Sequence, residues 1–206
     1  MFAGIVQAMG TVSERHERSG DVELVIDAGP LSLEATRLGD SIAVGGVCLT
    51  VTRLAGSIFA ADVSRETLAL TTLDELTPSS HVNLETALRA GEPIGGHLVS
   101  GHIDGIARLL ARQADARSER LEFEVPPQLA RYIARKGSVC IDGVSLTVND
   151  VNGQRFGVSL IPHTLSVTTL GDLVAGARVN IEVDLIARYV ERLLGQSTAR
   201  SPVNPN

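Results

Sequence analysis

Tryptophan is absent from this 206-residue chain, and aromatic residues make up only 3% of it. Few side chains are therefore available to stack on single-stranded nucleic acid. Cysteine is nearly absent too. Cys48 and Cys140 are too few for a disulfide framework, which fits a cytosolic chain. No excess of basic charge is present. The net charge of −6 argues against the basic face that a nucleic-acid or membrane-surface partner would favour. No apolar run is long enough to span a bilayer. The N-terminal MFAGIVQAMG has no basic residues ahead of an apolar core, so no secretory signal and a cytoplasmic location are expected. What remains, 44% hydrophobic and 20% charged, is the composition of a globular protein.

What the chain does have is a repeat. Residues 41–52 read SIAVGGVCLTVT and residues 138–149 read SVCIDGVSLTVN, so Thr50 and Thr147 stand 97 positions apart. The same offset aligns Phe59 with Phe156, Thr67-Leu68 with Thr164-Leu165, and Thr71-Thr72-Leu73 with Thr168-Thr169-Leu170. It also aligns Val82-Asn83 with Val179-Asn180, and Gly4 with Gly101. One register holds to about Leu185 with no net insertion. The period is far longer than that of a solenoid, so each copy is expected to be a small domain with its own core. Positions that differ between the copies can then be read against an internal control.

Strand signals dominate: Phe2 to Val12, Val22 to Ile26, Ser41 to Leu54, Ser57 to Val63 and His81 to Glu85 are rich in β-branched residues. Asn152-Gly153 reads as a hairpin turn between Val144–Val151 and Arg155–Leu160. Short strands at regular spacing predict a barrel or sandwich in each copy. Helices are few. Pro126-Pro127 followed by QLARYIARK and Gly137 has the Pro-first, Gly-last asymmetry, and its counterpart is Pro30 to Leu38. Thr67 to Leu73 and Thr164 to Leu170 predict short helical turns. The clearest helix is Leu185 to Leu194, with Leu185, Tyr189 and Leu193 on one face; it lies beyond the repeat and needs a partner surface, for which a neighbouring subunit is a reasonable place. The expected division is 1–96 and 97–184 for the two copies, 185–195 for the helix and 196–206 for a disordered tail.

The segment from Gly95 to Gly105, GGHLVSGHIDG, frames two histidines with glycines. His97 and His102 are five apart and would point to opposite faces of a strand; with five histidines in all and no cysteine nearby, no metal site is expected. A Gly-rich connector with locally satisfied histidines is the plain reading. The internal control adds that His102 aligns with Ile5, so a titratable residue stands where the first copy has an apolar one. Cys48 aligns with Ser145. Both fit a pocket role, and Cys48 equally fits a small buried apolar residue. Neither G-x-S-x-G, nor G-x-G-x-x-G, nor a P-loop is present. The strand edges at Leu49-Thr50 and Leu146-Thr147 could instead pair with a flat heterocycle that carries adjacent donors and acceptors.

Together MFAGIV, GVCLTV, GGHLVSGHIDG, KGSVCIDGVSLTV, LIPHTL and RVNIEVD resemble the riboflavin synthase family, of the type built from two lumazine-binding repeats, over residues 1 to 194. The resemblance implies an all-β fold: two similar six-stranded antiparallel Greek-key β-barrels from a tandem duplication, plus a C-terminal α-helix. It implies a homotrimer assembled through those helices, an association with lumazine synthase among its partners, and no cofactor. The implied reaction is a dismutation of two 6,7-dimethyl-8-ribityllumazine molecules by four-carbon transfer, giving riboflavin and 5-amino-6-ribitylamino-uracil.

The family's ligand-contacting stretches fall in copy one on Gly4, Ile5, Val6, on Cys48, Leu49, Thr50, and on Asp62, Val63, Ser64, Arg65, Glu66 and Thr67. In copy two they fall on Gly101, His102, Ile103, on Lys136, on Ser145, Leu146, Thr147, and on Ile161, Pro162, His163, Thr164, Leu165 and Ser166. Phe2, Cys48 and His102, with Ser145, match positions tied to catalysis. Ala3 stands where the family usually has Thr, and His163 where Glu is frequent. The resemblance also implies a site where the first barrel of one subunit faces the second barrel of another. Cys48 of copy one would then meet His102 of copy two across subunits. His102 is a candidate base for the acidic C7 methyl group, and Cys48, Ser145, a ribityl hydroxyl or water are candidate nucleophiles. The competing readings are a non-catalytic antenna protein that binds one lumazine, and a flavin or pterin carrier.

Overall fold

The computed structural model describes residues 1–197, so of the expected tail only Gln196 and Ser197 can be placed, and they are helical; 198–206 lie outside the described residues. The first copy contains β1 (Ala8–Arg18), β2 (Asp21–Asp27), β3 (Ser41–Val44), β4 (Val47–Ala55), β5 (Ile58–Val63), α1 (Arg65–Leu70) and β6 (His81–Thr86). The second contains β7 (Gly105–Asp115), β8 (Ser118–Glu124), α2 (Pro127–Ala130), β9 (Ser138–Ile141), β10 (Val144–Asn152), β11 (Arg155–Leu160), α3 (Pro162–Val167) and β12 (Arg178–Val183). Every strand of the first copy recurs in the second at the offset seen in the sequence. Each copy closes into a six-stranded antiparallel barrel, in the orders β1-β2-β5-β4-β3-β6 and β10-β11-β8-β7-β12-β9, which are the same ring. The bulges recur as well, between Val12 and Glu14 and between Leu109 and Ala111. Bulges add the local twist that lets a short sheet close on itself.

Alternation explains each barrel. In β4, Val47, Leu49 and Val51 are buried while Thr50 and Thr52 face out. The inward residues join Leu24, Ile26, Phe59 and Leu84 in the first core. The second core is built around Phe123 and Phe156, stacked with ring centroids 5.7 Å apart.

Several elements depart from the sequence expectation. The run Ser41–Leu54 is two strands, because Gly45 and Gly46 adopt φ of 54° and 82° and form a two-residue hairpin turn. The second copy makes the same turn with Asp142 (φ 44°) and Gly143 (φ 83°). The β10–β11 turn is Gly153-Gln154 rather than Asn152-Gly153, since Asn152 still pairs with Arg155. Regular pairing of the first strand begins at Ala8; before it, Gly4 turns the chain at φ 72° and Phe2 forms an isolated bridge with Val99. The expected helix after Pro126 is only the four residues of α2, which seats Leu129 in the core, and the turns that follow seat Ile133; Pro30 to Leu38 forms turns and irregular chain.

The last helix, α4 (Leu185–Ser197), extends past the expected end. Its exposed apolar stripe is Ile186, Tyr189, Val190, Leu193 and Leu194, whereas Leu185 is half-buried. Arg188 ties the helix to Asp104 at 2.5 Å, and Arg131 pairs with Glu191 at 2.9 Å. No helix among the described residues is long and apolar enough to cross a membrane.

Strands β6 and β12 break the in–out rule. Val82 and Leu84 face the first core, yet Asn83 and Glu85 on the opposite face are also buried. The other barrel covers them. Asn83 donates to the Asp142 carbonyl at 2.8 Å and accepts from the Thr169 N–H at 2.8 Å. Asn180 does the same in reverse, donating to the Gly45 carbonyl at 2.9 Å and accepting from the Thr72 N–H at 2.7 Å. The two barrels are therefore joined about an approximate two-fold axis, and each buried amide is satisfied by the other copy.

Candidate active site

The sequence register does not predict which barrel each N-terminal segment serves. The segment that begins the first copy lies on the second barrel: the Ser145 N–H donates to the Gly4 carbonyl at 2.7 Å, and Val6 packs on the second core. The segment that begins the second copy lies on the first barrel: the Cys48 N–H donates to the Gly101 carbonyl at 2.9 Å, and Ile103 packs on the first core. The segments are exchanged. They cross at Phe2 and Val99, which bond to each other through both N–H groups at 2.8 and 3.1 Å. Both crossings require glycine. A Cβ on Gly101 would lie 2.6 Å from the Cys48 Cβ, and one on Gly4 would lie 2.7 Å from the Ser145 Cβ. Both glycines also have positive φ.

This exchange corrects the expected division of the site. His102 does not sit on the second barrel. It lines one cavity of about 240 Å³ on the first barrel together with Cys48, Glu66, Thr67, Gly101 and Ile103. Cys48 and His102 of a single chain thus share a wall, and no second subunit is needed to bring them together. The floor is β4 and the side is α1. The Ser64 hydroxyl caps α1 by accepting the Thr67 N–H at 3.2 Å, and Thr71 donates to the Thr67 carbonyl at 2.7 Å. Thr50, Asp62 and Arg65 are exposed nearby in sequence, whereas the side chains of Leu49 and Val63 are sealed in the first core. Phe2 is also fully buried, with Ala43, Val99 and Cys140 at the junction between barrels, so its side chain holds the crossing in place.

The equivalent surface of the second barrel carries different groups. Ser145 replaces Cys48, Ile5 replaces His102, and His163 replaces Glu66. Gly4, Ile5 and Val6 supply the exchanged wall. Pro162 opens α3, Thr164 receives the Thr168 hydroxyl at 2.7 Å, and Ser166 donates to the His163 carbonyl at 2.9 Å. Leu146 and Leu165 pack on the second core, while Ile161 and Thr147 are exposed. Lys136, the one lysine in the chain, is exposed at φ 68° where the first copy has Gly39. A non-glycine residue there costs on the order of 1 kcal/mol.

Sequence reasoning set His97 aside, yet it contacts this surface: its Nδ1 lies 2.7 Å from the Ser145 hydroxyl. Its Nε2 is buried with no partner among the described residues. Burial lowers its pKa, partly offset by the charges of Asp184 and Glu182, so the ring is neutral beside Ser145. Two buried carboxylates were also missed. Glu85 accepts the N–H groups of Ala3 at 2.6 Å and Gly4 at 3.0 Å. Glu182 accepts the N–H of Ser100 at 2.7 Å, its hydroxyl at 2.6 Å, and the N–H of Gly101 at 2.9 Å. The available signal was the same polar pair, Asn and Glu at alternate positions, in both final strands. Burial pushes Glu85 up to about 7 against the pull of its N–H donors. Asp142 keeps some exposed surface, but its carboxyl is enclosed and is likewise pushed up to about 7. Burial, with the nearby carboxylates, raises the Cys140 thiol well above its usual value, leaving it inert. Among the described residues no group of His, Cys, Asp and Glu could hold a metal ion.

Two lumazine binding domains match this chain, at residues 3–87 and 100–184. The chain is 43% identical over 194 residues to the riboflavin synthase of Photobacterium phosphoreum, covering 94% of this chain and 89% of that one. It is 46% identical over 198 residues to the riboflavin synthase of Mycobacterium bovis, covering 94% and 98%. Among solved structures, LumP complexed with 6,7-dimethyl-8-(1'-D-ribityl) lumazine aligns with a TM-score of 0.80 at 26% identity, covering 89% of this chain and 99% of that one.

Proposed function

The chain belongs to the riboflavin synthase family, and we propose that it dismutates two 6,7-dimethyl-8-ribityllumazine molecules into riboflavin and 5-amino-6-ribitylamino-uracil. The observation that carries this reading is that both barrels keep a site of the same backbone construction: a strand edge with Cys48 or Ser145 held against a glycine of the exchanged segment. A reaction between two identical substrates needs two such sites; an antenna needs one. Higher identity to the synthases than to LumP supports the same choice.

One lumazine gives up a four-carbon unit and the other accepts it, so the two products account for all atoms and no oxidant or reductant is consumed. His102 takes a proton from the C7 methyl group, whose carbanion is delocalised into the ring. Addition at C7 of the partner ring falls to Cys48, Ser145, a ribityl hydroxyl or water. The neutral His97 beside Ser145 supports activation there. Lys136, exposed beside β10, is assigned to the ligand of the second site, as the family resemblance implies. Holding the rings face to face contributes a large rate factor. The apolar stripe on α4 supports assembly into a cytoplasmic homotrimer, in which the first groove of one subunit faces the second groove of the next. The test is to add the lumazine to purified, chelator-dialysed protein and follow riboflavin absorbance. Turnover is expected; ligand binding without turnover would favour the antenna reading.

A further inference from the structure

Glu85 and Glu182 stand outside both grooves, and the chemistry proposed above does not use them. Each is almost fully shielded from solvent, at 4% and 2% exposure. A carboxylate buried to this degree is retained only with hydrogen-bond donors to replace water. The donors are few and specific. Glu85, on β6 of the first barrel, grips Ala3 and Gly4. The carbonyl of that Gly4 pairs with Ser145 of the second barrel. Glu182, on β12 of the second barrel, grips Ser100 and Gly101. The carbonyl of that Gly101 pairs with Cys48 of the first barrel.

We propose that Glu85 and Glu182 are crossed positioning residues: each belongs to one barrel and sets the wall of the other barrel's groove. Each exchanged segment is anchored on either side of its glycine, by the Phe2–Val99 pair and by Val6 or Ile103 on the receiving core, but the glycine peptide itself is held only through its backbone. Gly4 and Gly101 have no side chain to pack, and the residues that follow them, Ile5 and His102, are exposed. A carboxyl group that accepts from two successive N–H groups fixes the peptide plane, and with it the carbonyl that meets Ser145 or Cys48. The two clamps differ in strength. Ser100 adds a hydroxyl bond to Glu182 that Ala3 cannot add to Glu85. The wall of the first groove, beside Cys48 and His102, is therefore the more tightly held.

That the clamps serve ligand sites rests on the function proposed above; the clamping itself is measured without ligand. Hydrogen exchange of the Ser145 and Cys48 amides in the full-length protein provides the readout. Glu85→Gln places an amide NH₂ among N–H donors and is expected to lower protection of Ser145 by about tenfold while leaving Cys48 unchanged. Glu182→Gln is expected to do the reverse. A milder pair keeps the test decisive if either variant fails to fold. Ser100→Ala copies the natural state of the first repeat and is expected to lower Cys48 protection about threefold; Ala3→Ser is expected to raise Ser145 protection. A loss in the same barrel as the substitution, an equal loss at both amides, or no change overturns the proposal.

In a second arm, riboflavin is tested for shielding Cys48 from alkylation. Glu182→Gln should weaken that shielding and Glu85→Gln should not. Absence of any shielding in the unmodified protein would count against the ligand-site reading alone, and the exchange data would still decide the crossed clamps.

Discussion

The two grooves are built on the same strands, at the same register, with the same glycine contact, and they are chemically unlike. The first brings together a thiol, an imidazole and a carboxylate at Cys48, His102 and Glu66. The second presents a hydroxyl backed by a neutral imidazole, Ser145 with His97, and has Ile5 and His163 where the first has His102 and Glu66. Duplication supplied two copies of a binding surface, and the exchange of segments let each copy place residues in the other's groove. The asymmetry expected of a donor and an acceptor site therefore lies in a handful of side chains, while the backbone stays symmetric.

The largest effect is expected at the crossings. Gly101→Ala combines a Cβ 2.6 Å from the Cys48 Cβ with a backbone at φ 79°. It should destabilise the chain by about 3 kcal/mol, read as a lowered midpoint in urea, and should abolish ligand shielding of Cys48. A fall below about 1 kcal/mol would mean that the segment can move away without loss.

A smaller effect is expected at the equivalent hairpin turns. Gly45-Gly46 is uncharged, whereas Asp142-Gly143 buries a carboxyl. Because the folded pKa of Asp142 is raised, the protein holds a proton that the unfolded chain releases near pH 4. Its contribution is therefore fully present below about pH 4 and lost as pH rises to about 7. Asp142→Asn keeps an oxygen for the Asn180 N–H and suits the positive φ. The variant should match the parent in thermal stability near pH 4 and exceed it by a few degrees at pH 8. His97, whose pKa is shifted the other way, is common to both proteins and cancels. Equal midpoints at both pH values would show that the carboxyl is well solvated.

Much of this was legible in the sequence. One offset identified the duplication, alternation found the strands, and the paired motifs marked Cys48 and Ser145 as equivalent positions. The rest failed for physical reasons. Gly4 and Gly101 follow the register of their own copies, and nothing local to MFAGIV or VSGHID says that each segment crosses to the other barrel. Asn83 and Glu85 alternate with Val82 and Leu84, a pattern that in one isolated barrel means a solvated face. Only tertiary contact makes that face an interface. The residues after Pro126 have helix-like ends, but the core draws in Leu129 and Ile133 through turns bonded three residues apart. His97 was discounted because its partner, Ser145, is distant in sequence.

Subunit mixing decides whether Cys48 and His102 form one groove and Ser145 the complementary one. Cys48→Ala, His102→Ala and Ser145→Ala are purified separately, mixed in equal amounts, and allowed to exchange subunits until mixed oligomers are confirmed by mass. Cys48→Ala with Ser145→Ala should recover about one site in four, because an intact first groove can then face an intact second groove. Cys48→Ala with His102→Ala should recover nothing, because both lesions lie in the same groove and every first groove is damaged. Recovery of riboflavin formation by the Cys48→Ala and His102→Ala mixture, without recovery by the other, would contradict the exchanged-segment site.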